Sequence, residues 1–264
     1  MKLRLRAKLF IRKLNGNKRH LPDFIVIGVQ KGGTTFLYHT LKQHDQIEMA
    51  IRKEVHFFDK FYSKGMSWYR AHFSVKKNNS KKIVGENTPG YIFKENVLDR
   101  VHKHLPNARF IVLLRNPVDR AFSHYHMLMR RHPESGLTFE KYIDIASRKS
   151  YYELKEYNIQ KKFLNVLERG LYAHQLEQWF SVYPRDRFYI TESETLFNNP
   201  VEELMRIHEF LGVTPVPPKD LRPRNTGGYS SDIPDGPKNF LYEYYKNDIK
   251  KLAKMGINYE WTIL

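Results

Sequence analysis

The chain has 264 residues, of which 41% are hydrophobic and 14% aromatic, a composition that argues against general disorder and is sufficient for one sizeable domain. The formal net charge of +17 favours anionic partners such as a nucleotide, an acidic glycan, nucleic acid or anionic lipid, although a merely solubilising charge is the alternative. The absence of cysteine excludes disulfides, thiolate catalysis and cysteine zinc sites, and it favours the cytosol.

Residues 1–20 are predicted to form a basic N-terminal arm. The arm has no acidic residue, and its basic residues are Lys2, Arg4, Arg6, Lys8, Arg12, Lys13, Lys18 and Arg19. It lacks the long apolar core of a signal peptide, and no stretch of the chain approaches the ~20 apolar residues of a membrane span. A frayed, solvated terminus and a short amphipathic segment that contacts anionic membrane both fit this pattern. Residues 21–264 are predicted to form a single domain.

The remaining pattern alternates strands with helices. Short apolar runs predict strands at Phe24–Gly28, Lys82–Gly85, Arg109–Leu114 and Arg187–Ile190. Helical spacing predicts helices at Thr34–His44, Asn96–Leu105, Val118–Arg130, Gly170–Tyr183, Val201–Leu211 and Asn239–Met255. The Pro- and Gly-rich stretch Thr214–Lys238 is predicted to be mostly irregular. The alternation predicts an α/β, P-loop-like, three-layer domain with a central parallel sheet flanked by helices.

A glycine-rich turn separates the first predicted strand from the first predicted helix. It reads GVQKGGTT, from Gly28 to Thr35. Inward-pointing backbone N–H groups and the start of a helix would make such a turn an anion cradle. Relative to the nucleotide P-loop, Thr34 replaces the usual lysine, and Lys31 lies inside the loop. This difference argues against one candidate function, that of a Mg·ATP kinase. An ordinary strand-to-helix turn is the simplest alternative.

A second candidate anion site follows the clearest predicted strand, Arg109–Leu114. Arg115 lies at its carboxyl end, where ligands bind in open parallel sheets. Ser123 follows in the helix that Pro117 starts, and an arginine fork with a hydroxyl suits a phosphate held from two sides. A surface ion pair and a solvent-facing serine are the alternatives. Two anion sites suggest a nucleotide with phosphates on two ribose positions.

Four motifs together resemble one family. The runs QKGGTT, KEVHFFD, GENTPGY and LRNPVDRAFSHY lie between residue 23 and about residue 130. They are similar to those of the sulfotransferases that use PAPS (3′-phosphoadenosine 5′-phosphosulfate), most of all to the glycosaminoglycan (heparan sulfate) N- and 3-O-sulfotransferase group and its bacterial relatives. The resemblance implies PAPS as donor, its bisphosphate product PAP, and the transfer of a sulfuryl group to an acceptor.

The resemblance also implies a role for individual residues. The 5′-phosphosulfate would be held by Lys31, Gly32, Gly33, Thr34 and Thr35, and the 3′-phosphate by Arg115 and Ser123. Glu54 matches the catalytic base, and His56 and Asp59 match positions that line the acceptor site. Arg224, in a late basic segment, would close over the nucleotide. Asn87 departs from the family, which often has a lysine there.

The expected reaction assigns a chemical role to three of these residues. Lys31 would stabilise charge on the leaving oxygen, Glu54 would take the acceptor's proton, and His56 would assist. No metal is predicted, because a sulfuryl group carries less charge than a phosphoryl group. A carbohydrate acceptor, anionic or neutral, is favoured over a lipid, a phenol or a protein, and Tyr62, Trp68 and Tyr69 could stack on sugar rings or pack in the core.

Besides a kinase, a second alternative to a sulfotransferase is a non-enzymatic binder of nucleic acid or anionic membrane. Such a protein would explain the charge but not the paired motifs. Nucleic acid is therefore not expected as a partner, and the oligomeric state is left open. A cytoplasmic, bacterial-type enzyme is predicted, and a soluble catalytic domain of a Golgi-type enzyme is the alternative.

Overall fold

The computed structural model describes residues 9–14, 16–75, 82–222 and 232–262. These residues belong to two compact units, each assembled from separate stretches of chain. The sheet unit takes its residues from 1–29, 33–113 and 179–224, and the helical unit takes its residues from 30–32, 114–178 and 225–264. The single domain over residues 21–264 stays a prediction.

The strands and helices are as follows. The strands are β1 Phe24–Gly28, β2 Ile47–Met49, β3 Ile83–Asn87, β4 Arg109–Leu114 and β5 Phe188–Glu192. The helices are α1 (residues 9–14), α2 Thr34–Leu41, α3 Phe57–Lys60, α4 Met66–Arg70, α5 Val97–His104, α6 Pro117–Met129, α7 Phe139–Ser147, α8 Tyr151–Glu156, α9 Tyr172–Phe180, α10 Ser193–Asn198, α11 Pro200–Leu211 and α12 Asp235–Lys254. Short 3₁₀ helices lie at Gly16–Lys18, Tyr62–Lys64, Pro133–Ser135, Lys161–Val166, Glu168–Gly170, Arg185–Arg187 and Glu260–Thr262.

The sheet unit is built on one parallel sheet with the strand order β2-β3-β1-β4-β5. Strand β1 is completely buried and lies between β3 and β4, with Phe24 opposite both Gly85 and Arg109. A side chain at Gly85 would meet the Phe24 ring at 2.2 Å, so this close approach requires glycine. The sheet confirms the predicted α/β, three-layer class.

Both faces of this sheet are covered within the sheet unit. On one face, a buried cluster joins β1 and β4 to helices α2, α10 and α11; its members include Val26, Leu37, Ile111, Leu196 and Ile207. On the other face, Phe110 packs edge-on against the rings of Trp179 and Tyr183, at centroid distances of 5.1 and 4.7 Å. The apolar character of β1 and β4 on both sides explains their runs of hydrophobic residues.

The helical unit has its own core. Helices α6, α7, α8 and α12 bury a second apolar cluster, which includes Phe122, Tyr142, Leu154 and Tyr245. The Tyr245 hydroxyl donates a hydrogen bond to the Leu167 carbonyl at 3.0 Å. This core holds α6, which carries the second predicted anion motif, in place.

Candidate active site

The glycine-rich turn connects β1 to α2 as predicted. Gly33 precedes α2 as its N-cap with a φ of 82°, and Lys31 also has a positive φ, of 79°. A side chain at Gly33 would meet the ring of Phe197 at 2.9 Å, so both conformation and space favour glycine there. The turn therefore has the backbone form of an anion cradle at the start of a helix.

Asn87 connects this turn to the segment of the predicted base. Its side-chain amide donates a hydrogen bond to the Thr34 carbonyl at 2.7 Å, and its own carbonyl accepts one from the Glu54 N–H at 2.8 Å. Asn87 ends β3 and is fully buried. The residue that departs from the family motif thus holds the first turn of α2 and the backbone of Glu54 in fixed register within the sheet unit.

Glu54, His56 and Asp59 form one chain of polar contacts. His56 lies between the two carboxylates, with Nε2 at 3.4 Å from Glu54 Oε2 and Nδ1 at 2.9 Å from Asp59 Oδ2. Lys53 contacts the other oxygen of Glu54 at 2.9 Å, and Lys60 Nζ lies 3.2 Å from His56 Nε2. The Glu54 side chain is 41% exposed, whereas that of Asp59 is only 5% exposed. The carboxylate predicted as base is therefore the one that an acceptor can reach.

The contacts determine the charge states of this chain. The hydrogen bond from His56, aided by Lys53, lowers the pKa of Glu54 to about 2, although burial opposes this. Burial lowers the pKa of His56, but its hydrogen bonds to Asp59 and Glu54 outweigh burial and raise the pKa above its usual value. Glu54 is thus ionised throughout the neutral range, while His56 retains its proton to a higher pH than an isolated histidine.

Backbone strain is concentrated at the predicted catalytic residues. Among the described residues other than glycine, positive φ occurs at Lys31, Glu54, His56, Asn96, Lys149 and Asn158. Three of these six are the residues predicted to be catalytic, Lys31, Glu54 and His56, with φ of 79°, 60° and 57°. Such conformations cost free energy and persist only where the surrounding structure enforces them, typically at functional sites.

A buried carboxylate that sequence reasoning did not single out supports this segment. Glu86 is fully buried and accepts hydrogen bonds from the Tyr69 hydroxyl and from Thr88 Oγ1, the latter at 2.7 Å. Burial raises the pKa of Glu86. The hydroxyl of Tyr91, which also interacts with Glu86, accepts a hydrogen bond from the Phe58 N–H at 3.2 Å, so the network reaches α3. The only sequence signal for it was the GENTPGY motif itself.

The helical unit contains the second motif. One guanidinium nitrogen of Arg115 donates to the Lys31 carbonyl at 3.4 Å, which brings the middle of the glycine-rich turn and the predicted 3′-phosphate arginine together. The side-chain oxygen of Asn116 accepts a hydrogen bond from the Val118 N–H at 3.0 Å and caps α6. Ser123, on α6, is 4% exposed, which rules out a solvent-facing serine.

Positive charge surrounds the middle of α6. Arg120 is fully buried, and one of its nitrogens donates to the Val166 carbonyl. Its Nε and Nη1 have no hydrogen-bond partner among the described residues. Burial, together with the charges of Arg120, Arg169 and Lys31, holds the pKa of His124 well below its usual range. Helix α6 thus provides a local environment that favours an anion.

Several predicted features lie elsewhere or outside the described residues. Arg224 lies outside the described residues, as do residues 1–8 and 15 of the predicted arm. Tyr69 is fully buried and stacks on Phe57 with the ring centroids 4.5 Å apart, so Tyr69 is a core residue and cannot stack on a sugar.

Across the described ranges, no group of three or more His, Cys, Asp or Glu side chains could hold a metal ion. Within the same ranges, no helix combines the length and apolar character needed to cross a bilayer.

A parallel α/β sheet whose first strand leads through a glycine-rich turn into a helix defines the general class of phosphate-binding α/β proteins. Comparison with known proteins narrows this class. The family model described as "Sulfotransferase domain" matches residues 21–223, well over half of the chain. The chain belongs to the sulfotransferase domain family.

Individual relatives agree with this assignment. The membrane-associated sulfotransferase kil1 of Dictyostelium discoideum is 26% identical, over 89% of this chain and 65% of the relative. Heparan sulfate glucosamine 3-O-sulfotransferase 6 of Mus musculus is 31% identical, over 80% of this chain and 58% of the relative. The chain therefore spans less than two thirds of the length of these curated relatives.

A solved structure shows the same fold. The crystal structure of a sulfotransferase from Alicyclobacillus acidocaldarius superimposes with a TM-score of 0.71 at 24% identity, covering 92% of this chain and 99% of that one. A sulfotransferase domain from the curacin biosynthetic pathway gives a TM-score of 0.54 at 15% identity, over 90% and 99% of the two chains.

Proposed function

We propose that this chain transfers a sulfuryl group from PAPS to a hydroxyl or amine of a carbohydrate acceptor. Family membership supports the reaction and the donor. The observation that carries the residue assignment is the pair of hydrogen bonds by which Asn87 fixes the backbone of Glu54 relative to the first turn of α2. A candidate base and the first turn of α2, which forms part of the candidate anion cradle, are thereby held in constant geometry within the sheet unit, and transfer of a bound group requires such fixed geometry.

The nucleotide is assigned to the two anion motifs. The 5′-phosphosulfate is held by Lys31, Gly32, Gly33, Thr34 and Thr35, and the 3′-phosphate by Arg115 and Ser123. The contact between Arg115 and the Lys31 carbonyl supports this assignment, because it links the two motifs. The buried charge of Arg120 and the lowered pKa of His124 support an anion near α6. A contact between Arg224 and the nucleotide stays a prediction from the sequence, because Arg224 lies outside the described residues.

The chemical step uses groups of this chain. PAPS, when bound, supplies an activated sulfuryl group with PAP as its leaving group. Glu54 accepts the acceptor's proton as the acceptor atom bonds to sulfur and the bond from sulfur to the bridging oxygen breaks. Lys31 stabilises the negative charge that develops on that oxygen.

His56 controls how strong a base Glu54 is. When protonated, His56 donates through Nε2 to Glu54 and through Nδ1 to Asp59, which keeps the pKa of Glu54 near 2. A carboxylate of such low pKa is a weak base. When His56 loses one proton, the remaining N–H stays on Nδ1, where the contact with Asp59 is 2.9 Å against 3.4 Å to Glu54. Nε2 then no longer donates to Glu54, so Glu54 becomes a stronger base as His56 titrates.

The acceptor class rests on the names of the relatives and on the net charge of the chain. Relatives at about 31% identity are named as heparan sulfate glucosamine 3-O-sulfotransferases, and the net charge of +17 suits an anionic glycan. Tyr62 and Trp68 remain partly exposed after the KEVHFFD segment and are candidates to stack on sugar rings. The cytoplasmic location stays a prediction.

The test is transfer of labelled sulfate from PAPS over a panel that contains desulfated heparin, neutral oligosaccharides, a phenol, a glycolipid and a tyrosine peptide. We expect label on the glycans, and we expect Glu54→Gln to abolish most of it while Glu202→Gln, an exposed carboxylate on α11, keeps it. Label only on the phenol, lipid or peptide would overturn the acceptor class. No transfer to any acceptor, with intact PAP binding, would overturn the activity.

A further inference from the structure

Helix α1 presents three large apolar side chains to solvent. Phe10, Ile11 and Leu14 are 68%, 65% and 74% exposed. At about 100° per residue, these three positions form one continuous stripe about 100° wide. Scattered exposed apolar residues need no explanation, but three neighbouring ones on one helical face mark a candidate interaction surface.

The opposite face of α1 is fixed to the sheet unit. Leu9 is 9% exposed, and Arg12 donates hydrogen bonds to the Ala71 carbonyl at 2.6 Å and to the Phe73 carbonyl. Arg19 donates to the Arg12 carbonyl at 3.0 Å and to the Phe73 carbonyl at 3.0 Å. The helix is thus held to the residues that end and follow α4, and its apolar face points outward because its other face is used.

The surroundings of the apolar stripe are basic. Lys13 lies on α1 and Lys18 follows it, and both are exposed. The first acidic residue of the chain is Asp23, and the carboxylate of Glu48 acts on Arg12, on the opposite face of the helix. An apolar stripe on a surface helix with lysines on and just after the helix is the pattern of helices that lie in the interface of anionic membranes.

We propose that α1 docks this protein on an anionic lipid surface, with Phe10, Ile11 and Leu14 inserted at the boundary between headgroups and acyl chains. Lys13 and Lys18 contact the lipid phosphates. A protein partner would need a larger patch, since stable interfaces bury about 800 Å² on each side, whereas this stripe consists of three side chains. A lipid surface requires no shape complementarity, and charge complementarity selects an anionic one.

The test is vesicle flotation of the whole 264-residue chain with phosphatidylcholine vesicles, with and without about 30% phosphatidylglycerol. We expect binding to the anionic vesicles and little to the neutral ones at about 100 mM salt. The double variant Phe10→Ser, Leu14→Ser should partition at least about tenfold more weakly. Tyr152→Ser, which alters an 81% exposed aromatic residue on α8, is the matched control and should bind as the unaltered protein does.

Three outcomes would overturn the proposal. The first is absence of binding to anionic vesicles, and the second is equal binding by the double variant. The third is that the unaltered protein is a dimer in solution whereas the double variant is a monomer. The last result would assign the apolar stripe to a second copy of the chain. Unfolding does not confound the comparison, because thermal denaturation of each variant is measured alongside and the substituted side chains are exposed.

Discussion

The segment around Glu54 and helix α6 differ in whether their charged side chains are compensated by neighbours of opposite charge. In the sheet unit, Glu54, His56 and Asp59 alternate acid, base and acid, so each charge is compensated by its neighbour. On α6, Arg120 is fully buried and donates to the uncharged Val166 carbonyl. A compensated chain can pass a proton at little cost, whereas an uncompensated buried cation favours a bound anion. The proposed function assigns proton transfer to the first region and nucleotide binding to the second.

The largest effect on turnover is expected from substitution of the proposed base, Glu54. Glu54→Gln keeps the shape of the side chain but cannot accept a proton, so turnover with PAPS should fall by roughly 10²–10⁴-fold. PAP affinity should change less than about twofold, because the nucleotide is assigned to other residues. Steady-state kinetics and calorimetry measure the two quantities. Normal turnover in this variant would remove Glu54 from the mechanism.

The next largest effect is expected on PAP affinity. Arg115→Ala should weaken PAP binding by about 10- to 100-fold, since hydrogen bonds to charged groups contribute about 1.5–3 kcal/mol. Ser123→Ala should weaken it by only about 2- to 10-fold. Arg187→Ala, an arginine on the 3₁₀ helix before β5, serves as the control. If both arginine variants bind PAP equally well, the 3′-phosphate assignment is wrong.

A smaller effect appears in the pH dependence. Because the pKa of His56 is raised, its proton is lost above the usual histidine value, and kcat/KM should rise with pH over that range as Glu54 is released. Asp59→Asn removes one cause of the raised pKa, so the ascending limb should move to lower pH. A limb that stays in place, or moves to higher pH, would show that Asp59 does not act through His56.

The smallest effect tests the buried cation. Arg120→Met removes a buried charge but also the hydrogen bond to the Val166 carbonyl, so the melting temperature should fall slightly. PAP affinity should also fall by about 3- to 10-fold, because positive charge near α6 is lost. A variant that binds PAP normally would make Arg120 a purely structural residue.

The sequence predicted the strands best where burial on both faces leaves no ambiguity. The bounds of β1 and β4 were predicted residue by residue, and α11 ends at Leu211 before Gly212 as expected. Strand β2 was missed because it has three residues with a glutamate in the middle. Helix α12 begins at Asp235, four residues earlier than predicted, because a proline in the first turn of a helix is tolerated.

The candidate site was predicted as a list of residues and not as an arrangement. Motif resemblance identified Lys31, Glu54 and His56, but their positive φ angles depend on tertiary enforcement, which no local pattern reveals. Asn87 was noticed only as a departure from the family motif. Its two hydrogen bonds join residues far apart in the chain, so they become visible only in the folded structure.

The most direct test of the central claim is calorimetric titration of PAP and of ATP into the purified chain without added metal. We predict that PAP binds far more tightly than ATP and that Arg115→Ala removes most of this difference. Absence of PAP binding, or tighter binding of ATP with Mg²⁺, would contradict the assignment of these residues to a bisphosphate nucleotide site.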